Sequence, residues 1–354
     1  MCQSDKKETL RFTVFADLHY KKDVYIAAVS DLEAVLQRAD RCKAAFVIHL
    51  GDFSNDYIHS PEITQAYLEN PYGLPVYGIY GNHELEWQGN RMDLVTPLLN
   101  NRAVTWGTAD GQIGDGSIGY YYTDMGAFRL VCVDTNHCQD VATGAWLHYP
   151  SGSEGSVPGA RNGHSLDPVQ LSWLDGVLTD AAAKGLHCLV FSHAGFCDAW
   201  SASPSAGQVR ALFDKANSLT PGTVLLACNG HLHSNHAVRK NGVVYVDVHT
   251  VRNALWVPND RACVHYDSTT FPCVEYDEQG TPTGHVCDRA VNTLGQAKNT
   301  WFSARPLSAI ITVSTDGRIE IEGIEGRWLD DVVPPFDLPE SAAPQITSTV
   351  FEAL

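Results

Sequence analysis

Positive charge is scarce in this sequence. Its 354 residues carry 24 Lys and Arg against 41 Asp and Glu, a formal net charge of -17. No run of four basic residues occurs anywhere. Nucleic-acid backbones are held by clustered Lys and Arg, so a protein that coats DNA or RNA is excluded. Long apolar runs are missing too. No stretch of about 18 apolar residues is present to span a bilayer, and no secretory signal pattern is visible. The expectation is a soluble, cytoplasmic protein. Cys2 leaves one alternative, the lipid-bearing first residue of an exported lipoprotein whose signal has been trimmed. The ten cysteines, at 2, 42, 132, 138, 188, 197, 228, 263, 273 and 287, include no CxxC pair, which speaks against a thiolate metal ribbon. Cys132, Cys188 and Cys228 stand in apolar runs and read as small buried hydrophobes. Cys263, Cys273 and Cys287 share a loop-rich region where pairing stays open. Internal repeats, low-complexity tracts and composition breaks are absent as well. One domain over residues 9–330 is therefore expected, with a strand-rich portion from about 255 and a C-terminal tail over 331–354. The chain is long enough to bury a core without disulfide staples.

What is present begins as alternating strands and helices. Residues 11–16 (RFTVFA) read as a strand, and 25–40 carry Ile26, Val29, Leu32, Val35 and Leu36 at helical spacing. Residues 44–50 (AAFVIHL) form a second strand, 61–69 a helix opened by Ser60-Pro61, and 75–80 a third strand. This βαβαβ opening implies a parallel sheet with right-handed crossovers. A helix near 91–100 and strands over 118–124 and 127–134 follow, turning at Met125-Gly126. Residues 136–165 are rich in Gly, Ser and Pro and read as a long functional or mobile loop. A helix over 167–183, opened by Asp167-Pro168, precedes strand 187–192, helix 206–216 and strands 223–228 and 243–248. After a polar, loop-like stretch over 257–305, strands 307–313 and 318–323 close the pattern around Thr315-Asp316-Gly317.

Five short polar motifs each follow an expected strand: Asp17-Leu18-His19, Gly51-Asp52, Gly81-Asn82-His83-Glu84, Ser192-His193 and Gly230-His231-Leu232-His233. In an open α/β sheet the ligand site lies beyond the carboxyl ends of the strands, so all five converge there. Asp17 and His19 leave a strand on the same side and can grip one ion. Asp52 follows a glycine that permits a tight turn, and its two oxygens can bridge two ions. Asn82 adds a neutral carbonyl oxygen; His231 and His233 repeat the i, i+2 spacing. Singly, each motif has a plainer reading: a strand-end pair, a turn, or a hydrogen-bonded core histidine for His193. Five metal-compatible groups at five strand ends favour a metal centre. The donors are oxygen and nitrogen without thiolate, which suits Mn or Fe, with Zn as the catalytic alternative.

The order D-x-H, GD, GNHE, H, GHxH over residues 11 to about 250 resembles the calcineurin-like metallophosphoesterase superfamily. It is most similar to the branch with cyclic-nucleotide phosphodiesterases, ADP-ribose/CDP-alcohol diphosphatases and purple acid phosphatases. The resemblance implies a four-layer αββα sandwich of two mixed β-sheets flanked by helices, with a dimetal site at the strand ends. Asp17, His19, Asp52 and His233 would hold one divalent ion. Asp52 would bridge to a second, completed by Asn82, His193 and His231. His83 would protonate the leaving oxygen while a metal-bridging hydroxide attacks phosphorus in line. Glu84 reads as a supporting residue rather than a ligand. Many relatives carry an Asp three residues after the second-motif Asp; here Asn55 stands there, a weaker support for an imidazolium on His83. Residues Leu166–Leu178 look like the helix that such enzymes place after a substrate-side loop. Arg161 and His164 are candidate substrate contacts from that loop, Trp146 and Tyr149 candidate stacking residues, and His249 a neighbour of the last motif.

The substrate expected is a small phosphoester, nucleotides included, and phosphodiesterase is the leading activity. Phosphomonoesterase, nucleotide-conjugate diphosphatase and a non-catalytic metal-binding scaffold are the alternatives. Oligomeric state has no signal.

Overall fold

The computed structural model describes residues 7–20, 28–54, 60–86, 103–114, 119–140, 142–148, 160–197, 203–252, 254–257, 261, 274–276, 282–286 and 300–354. The expected helix near 91–100, and Cys2, Cys263, Cys273 and Cys287, lie outside these residues.

Two large mixed sheets carry the fold. The first contains β1 (Thr9–Phe15), β2 (Val47–His49) and β3 (Val76–Gly78), with β19 (Ala309–Ser314), β20 (Ile319–Glu322) and β21 (Thr349–Phe351), in the order β21-β20-β19-β1-β2-β3. Strands β1, β2 and β3 are parallel, as a βαβαβ unit requires, and the last three add antiparallel. Helices α1 (Ala28–Arg41) and α2 (Ser60–Leu68) are the crossovers. The second sheet contains β4 (Thr105–Gly107), β5 (Ile113–Gly114), β6 (Tyr121–Met125), β7 (Phe128–Cys132), β11 (His187–Ser192), β12 (Val224–Asn229), β13 (His236–Lys240) and β14 (Val243–Asp247), in the order β13-β14-β12-β11-β7-β6-β4-β5. Its outer face is covered by α4 (Pro168–Lys184) and α5 (Ala206–Leu219), while a short α3 (His83–Glu86) stands at the end of β3.

Alternation along the strands builds two cores from one sheet. In β11, Leu189 and Phe191 enter the core between the sheets, and Cys188 and Val190 enter the core beneath α4 and α5. Phe191 meets Phe12 edge-on from the opposite sheet, centroids 5.7 Å apart. Helix α4 starts where Asp167 accepts the Gln170 amide at 2.8 Å, with Pro168 behind it, and ends at Gly185 in the left-handed conformation. Cys132, Cys188 and Cys228 are fully buried free thiols.

Three departures from expectation stand out. Residues 136–165 are not one irregular loop. Their described part forms β8 (His137–Asp140), β9 (Trp146–His148) and β10 (Ala160–Ser165), a three-stranded sheet ordered β10-β8-β9. The polar stretch over 257–305 contributes β16 (Val274–Tyr276), β17 (Pro282–Val286) and β18 (Thr300–Trp301), the last pairing with β15 (Leu255–Trp256). Residues 331–354 are no loose tail, because β21 closes the edge of the first sheet. No described helix is long and apolar enough to cross a membrane.

Candidate metal centre

The five polar motifs leave five neighbouring strand ends, three from the first sheet and two from the second. Asp17 and His19 follow β1, Asp52 follows β2, Asn82 follows β3, His193 follows β11, and His231 and His233 follow β12. The loops are braced to one another by main-chain bonds. The Asp17 amide donates to the Gly51 carbonyl, the His19 amide to Asp52, and the Gly230 amide to His193, all between 2.8 and 3.1 Å. Asp17 accepts the His231 amide at 3.0 Å, and Asp52 Oδ1 accepts the His83 amide at 2.9 Å.

Backbone conformation singles out the same residues. Ten described non-glycine residues have positive φ, and six are Asp17, His19, Asp52, His164, His231 and His233. Left-handed backbone costs about 1 kcal/mol for such a residue and persists where surroundings enforce it. Two glycines make the close approach possible. A β-carbon at Gly51 would strike the Gly81 backbone and the His193 ring, and one at Gly230 would strike the Asp17 carboxylate.

The side chains form three overlapping groups whose donor atoms lie within 4.8 Å of one another: Asp17, His19 and His233; His19, Asp52 and His83; Asp52, His193 and His231. Asp52 Oδ2 is the shared point, 3.2 Å from His193 Nε2, 3.9 Å from His83 Nε2 and 4.0 Å from His19 Nε2. Asn82 Oδ1 lies 3.1 Å from His193 Nε2. His193 Nδ1 donates to the Leu50 carbonyl at 2.7 Å, which turns Nε2 toward the centre.

Two ring-to-ring contacts test whether this set fits cations. His19 Nε2 is 3.1 Å from His233 Nε2, and His193 Nε2 is 3.1 Å from His231 Nδ1. Facing imidazole nitrogens repel through their lone pairs unless a proton or a cation lies between them. Burial pushes His19 and His231 down to about 3, holding both neutral as ligands must be. Burial opposes charge on His193 as well, but the Asp52 carboxylate overrides it and raises the ring to about 10. A proton there occupies the position of favourable positive charge. The donor set, its overlap at Asp52 and the neutral imidazoles of His19 and His231 fit two divalent ions.

Glu84 supports the site from below. Its Oε2 accepts the amides of Asp52 and Gly81, at 2.9 and 2.6 Å, and its Oε1 those of Phe53 and Ser54, at 2.6 and 3.2 Å. One carboxylate thus pins the second motif to the third. Burial and the Asp52 charge push the Glu84 carboxyl up, and those amide donors hold it back.

The remaining sequence candidates separate. His164 is brought in: strand β10 places its ring 4.4 Å from that of His231, and burial lowers it to about 4. Arg161 stands in the same strand opposite Gln139, its side chain outside the described residues. Trp146 belongs to β9 and is not among the described residues that line the cavity, and Tyr149 and Asn55 lie outside the described residues. His249 is fully buried beside the centre, and burial lowers its ring to about 3. The centre opens into a cavity of 510 Å³ lined by His19, Asp52, Asn82, His83, His231 and His233. Its other wall was not foreseen: Leu232, Ser234 and Leu255, with Leu338, Pro339, Ser341 and Ala342 from near the C-terminus. Leu232 lies inside the last motif without being a donor, and the others carry no periodicity or motif that marks them in the sequence.

A family model described as calcineurin-like phosphoesterase matches residues 10–235. Among solved structures, a dimetal phosphatase from Danio rerio is similar over 90% of this chain and 98% of its own, at 15% identity and TM-score 0.51. GAP50, the anchor in the inner membrane complex of Plasmodium, is 13% identical over 91% of this chain and 88% of its own, at TM-score 0.44. A Staphylococcus aureus protein assigned as a 5′-nucleotidase is 13% identical over 94% of this chain and 56% of its own, at TM-score 0.47. No curated protein matches the sequence.

Proposed function

The chain belongs to the calcineurin-like phosphoesterase family and is a metal-dependent phosphoester hydrolase; from that premise we propose that its substrates are phosphodiesters. The reading rests on the three donor groups that overlap at His19 and Asp52. Asp17, His19 and His233 would hold one ion, Asn82, His193 and His231 the other, with Asp52 shared. The oxygen and nitrogen donors suit Mn or Fe, and Zn as an alternative. When bound, two such ions supply charge neutralisation at the phosphoryl oxygens and an activated water for in-line attack.

The chain itself supplies the rest. His83 lines the cavity, its amide fixed on Asp52 Oδ1, and its ring can deliver a proton to the departing alkoxide. His164, its ring 4.4 Å from that of His231, would contact the substrate. Among the described lining residues no Lys or Arg is present to grip the second charge of a monoester, and the cavity continues past the donors to accept a second ester group. Both features favour the diester.

Hydrolysis of bis-p-nitrophenyl phosphate and p-nitrophenyl phosphate with Mn, Fe or Zn tests this reading. The diester should be cleaved with the higher kcat/KM. A higher value for the monoester would make the protein a phosphomonoesterase, and no activity with no bound metal would overturn the enzyme reading. Asp52→Ala should lose both metal and turnover. His83→Ala should keep its metal and lose about 10²–10⁴-fold in rate, the usual contribution of a positioned proton donor.

A further inference from the structure

We propose that the unforeseen wall of the cavity is a subsite for an apolar ester group, so that the preferred substrates are singly charged organophosphates rather than nucleotides. The proposal rests on the assignment of the metal centre above and names the substrate class of that site. Three leucines from three distant segments face one cavity. Leu232 keeps 36% of its surface exposed, between His231 and His233, both held in left-handed backbone. Leu255 comes from β15, and Leu338 from the chain segment that leads to β21.

This wall is built. Leu255 and Leu338 pack against a separate aromatic core of Trp301, Phe302 and Trp328, in which the Trp301 ring meets Trp328 at 6.2 Å and Phe336 at 6.1 Å. The segment beyond Leu338 is fixed in place: the Asn235 amide, two residues past His233, donates to the Ser341 carbonyl at 2.8 Å. The Asn235 side chain also donates to Thr347 Oγ1 at 2.8 Å and accepts the Thr347 amide at 3.0 Å. The loop that carries the last two histidines and the segment that carries Leu338 are therefore one braced unit.

The chemistry of the wall selects its occupant. Apolar surface held open at a cavity is favourable to cover with apolar ligand surface. Ser234 and Ser341 are its polar side chains, few for reading a nucleobase, and the neighbouring charged residue, Glu340, is acidic. A second phosphate would meet no cation among the described lining residues.

Calorimetric titration of the full-length, Mn-loaded protein with phenylphosphonate and methylphosphonate tests the wall without turnover. Phenylphosphonate should bind about tenfold tighter or more, the worth of burying one aromatic group. Leu338→Ser should bring the two Kd values within about threefold of each other while methylphosphonate binding stays as it was, and Leu338→Met should keep the preference. Pro339→Ser, at an exposed position that cannot unfold the core, should reduce it in part. Equal binding of the two ligands by the unaltered protein would overturn the proposal. So would a preference that survives both serine variants, or AMP displacing phenylphosphonate at lower concentration. Loss of diester turnover with the binding preference intact counts against the diesterase reading alone.

Discussion

At the residue scale the centre is held by side chains that serve the backbone as much as by those that face the ions. Glu84 is the clearest case. No neutral side chain can accept four main-chain amides, because an amide such as glutamine replaces one acceptor oxygen by a donor. Glu84→Gln should therefore cost about 2–4 kcal/mol through two unmet buried amides, and should loosen Asp52 and the Gly81–His83 loop together. The measurement is metal content and melting temperature side by side. A variant that keeps both at the level of the unaltered protein would show that the four bonds are dispensable. Motif reading took Glu84 for a supporting residue rather than a ligand, without showing what it supports. The groups it supports appear once its carboxylate is seen accepting amides from two separate loops.

At the element scale, β8–β9–β10 was hidden in the sequence because its strands are short and interrupted by Gly, Ser and Pro. Such strands are specified by their neighbours rather than by alternation. The sheet is tied to the body of the fold through Asp134, which follows β7. Asp134 Oδ2 lies 2.7 Å from His148 Nε2 in β9, and Oδ1 accepts the amide and side chain of Asn136. Burial disfavours both charges, yet each holds the other: the Asp134 carboxyl is lowered and the His148 ring raised. The His148 contribution is complete below the ordinary imidazole value of 6.5 and fades as pH climbs through the raised one. That of Asp134 is complete above its ordinary 3.8 and fades as pH falls. The pair thus stabilises most between these values. His148→Gln should lower stability there by about 1 kcal/mol, since the ring is partly exposed, or roughly 2 °C in a chain this size. The gap to the unaltered protein should close as the pH is raised through the elevated His148 value. A gap that stays constant or widens with pH would remove the ion pair from the explanation.

At the scale of the whole molecule, the site is the seam where two sheets meet, and bound cations would relieve its facing imidazoles at both close contacts. Chelation should accordingly lower the melting temperature as well as abolish activity. An ion present at a thousand times its Kd stabilises by about 4 kcal/mol, and two ions by about twice that, so a fall of at least 5 °C is expected in a thermal scan. Unchanged melting after verified metal loss would mean that the folded centre tolerates its own repulsion. The sequence by itself determined the parallel β1–β2–β3 opening, the crossover helices, the α4 cap at Asp167-Pro168 and the seven candidate ligands, because each follows from local periodicity, turn chemistry or a short motif. Only the tertiary structure decided the closing of the first sheet by β21, the β8–β9–β10 sheet that brings His164 to His231, and the leucine wall. Each joins residues distant in sequence, as the wall joins Leu232, Leu255 and Leu338, and such contacts leave no periodic trace along the chain.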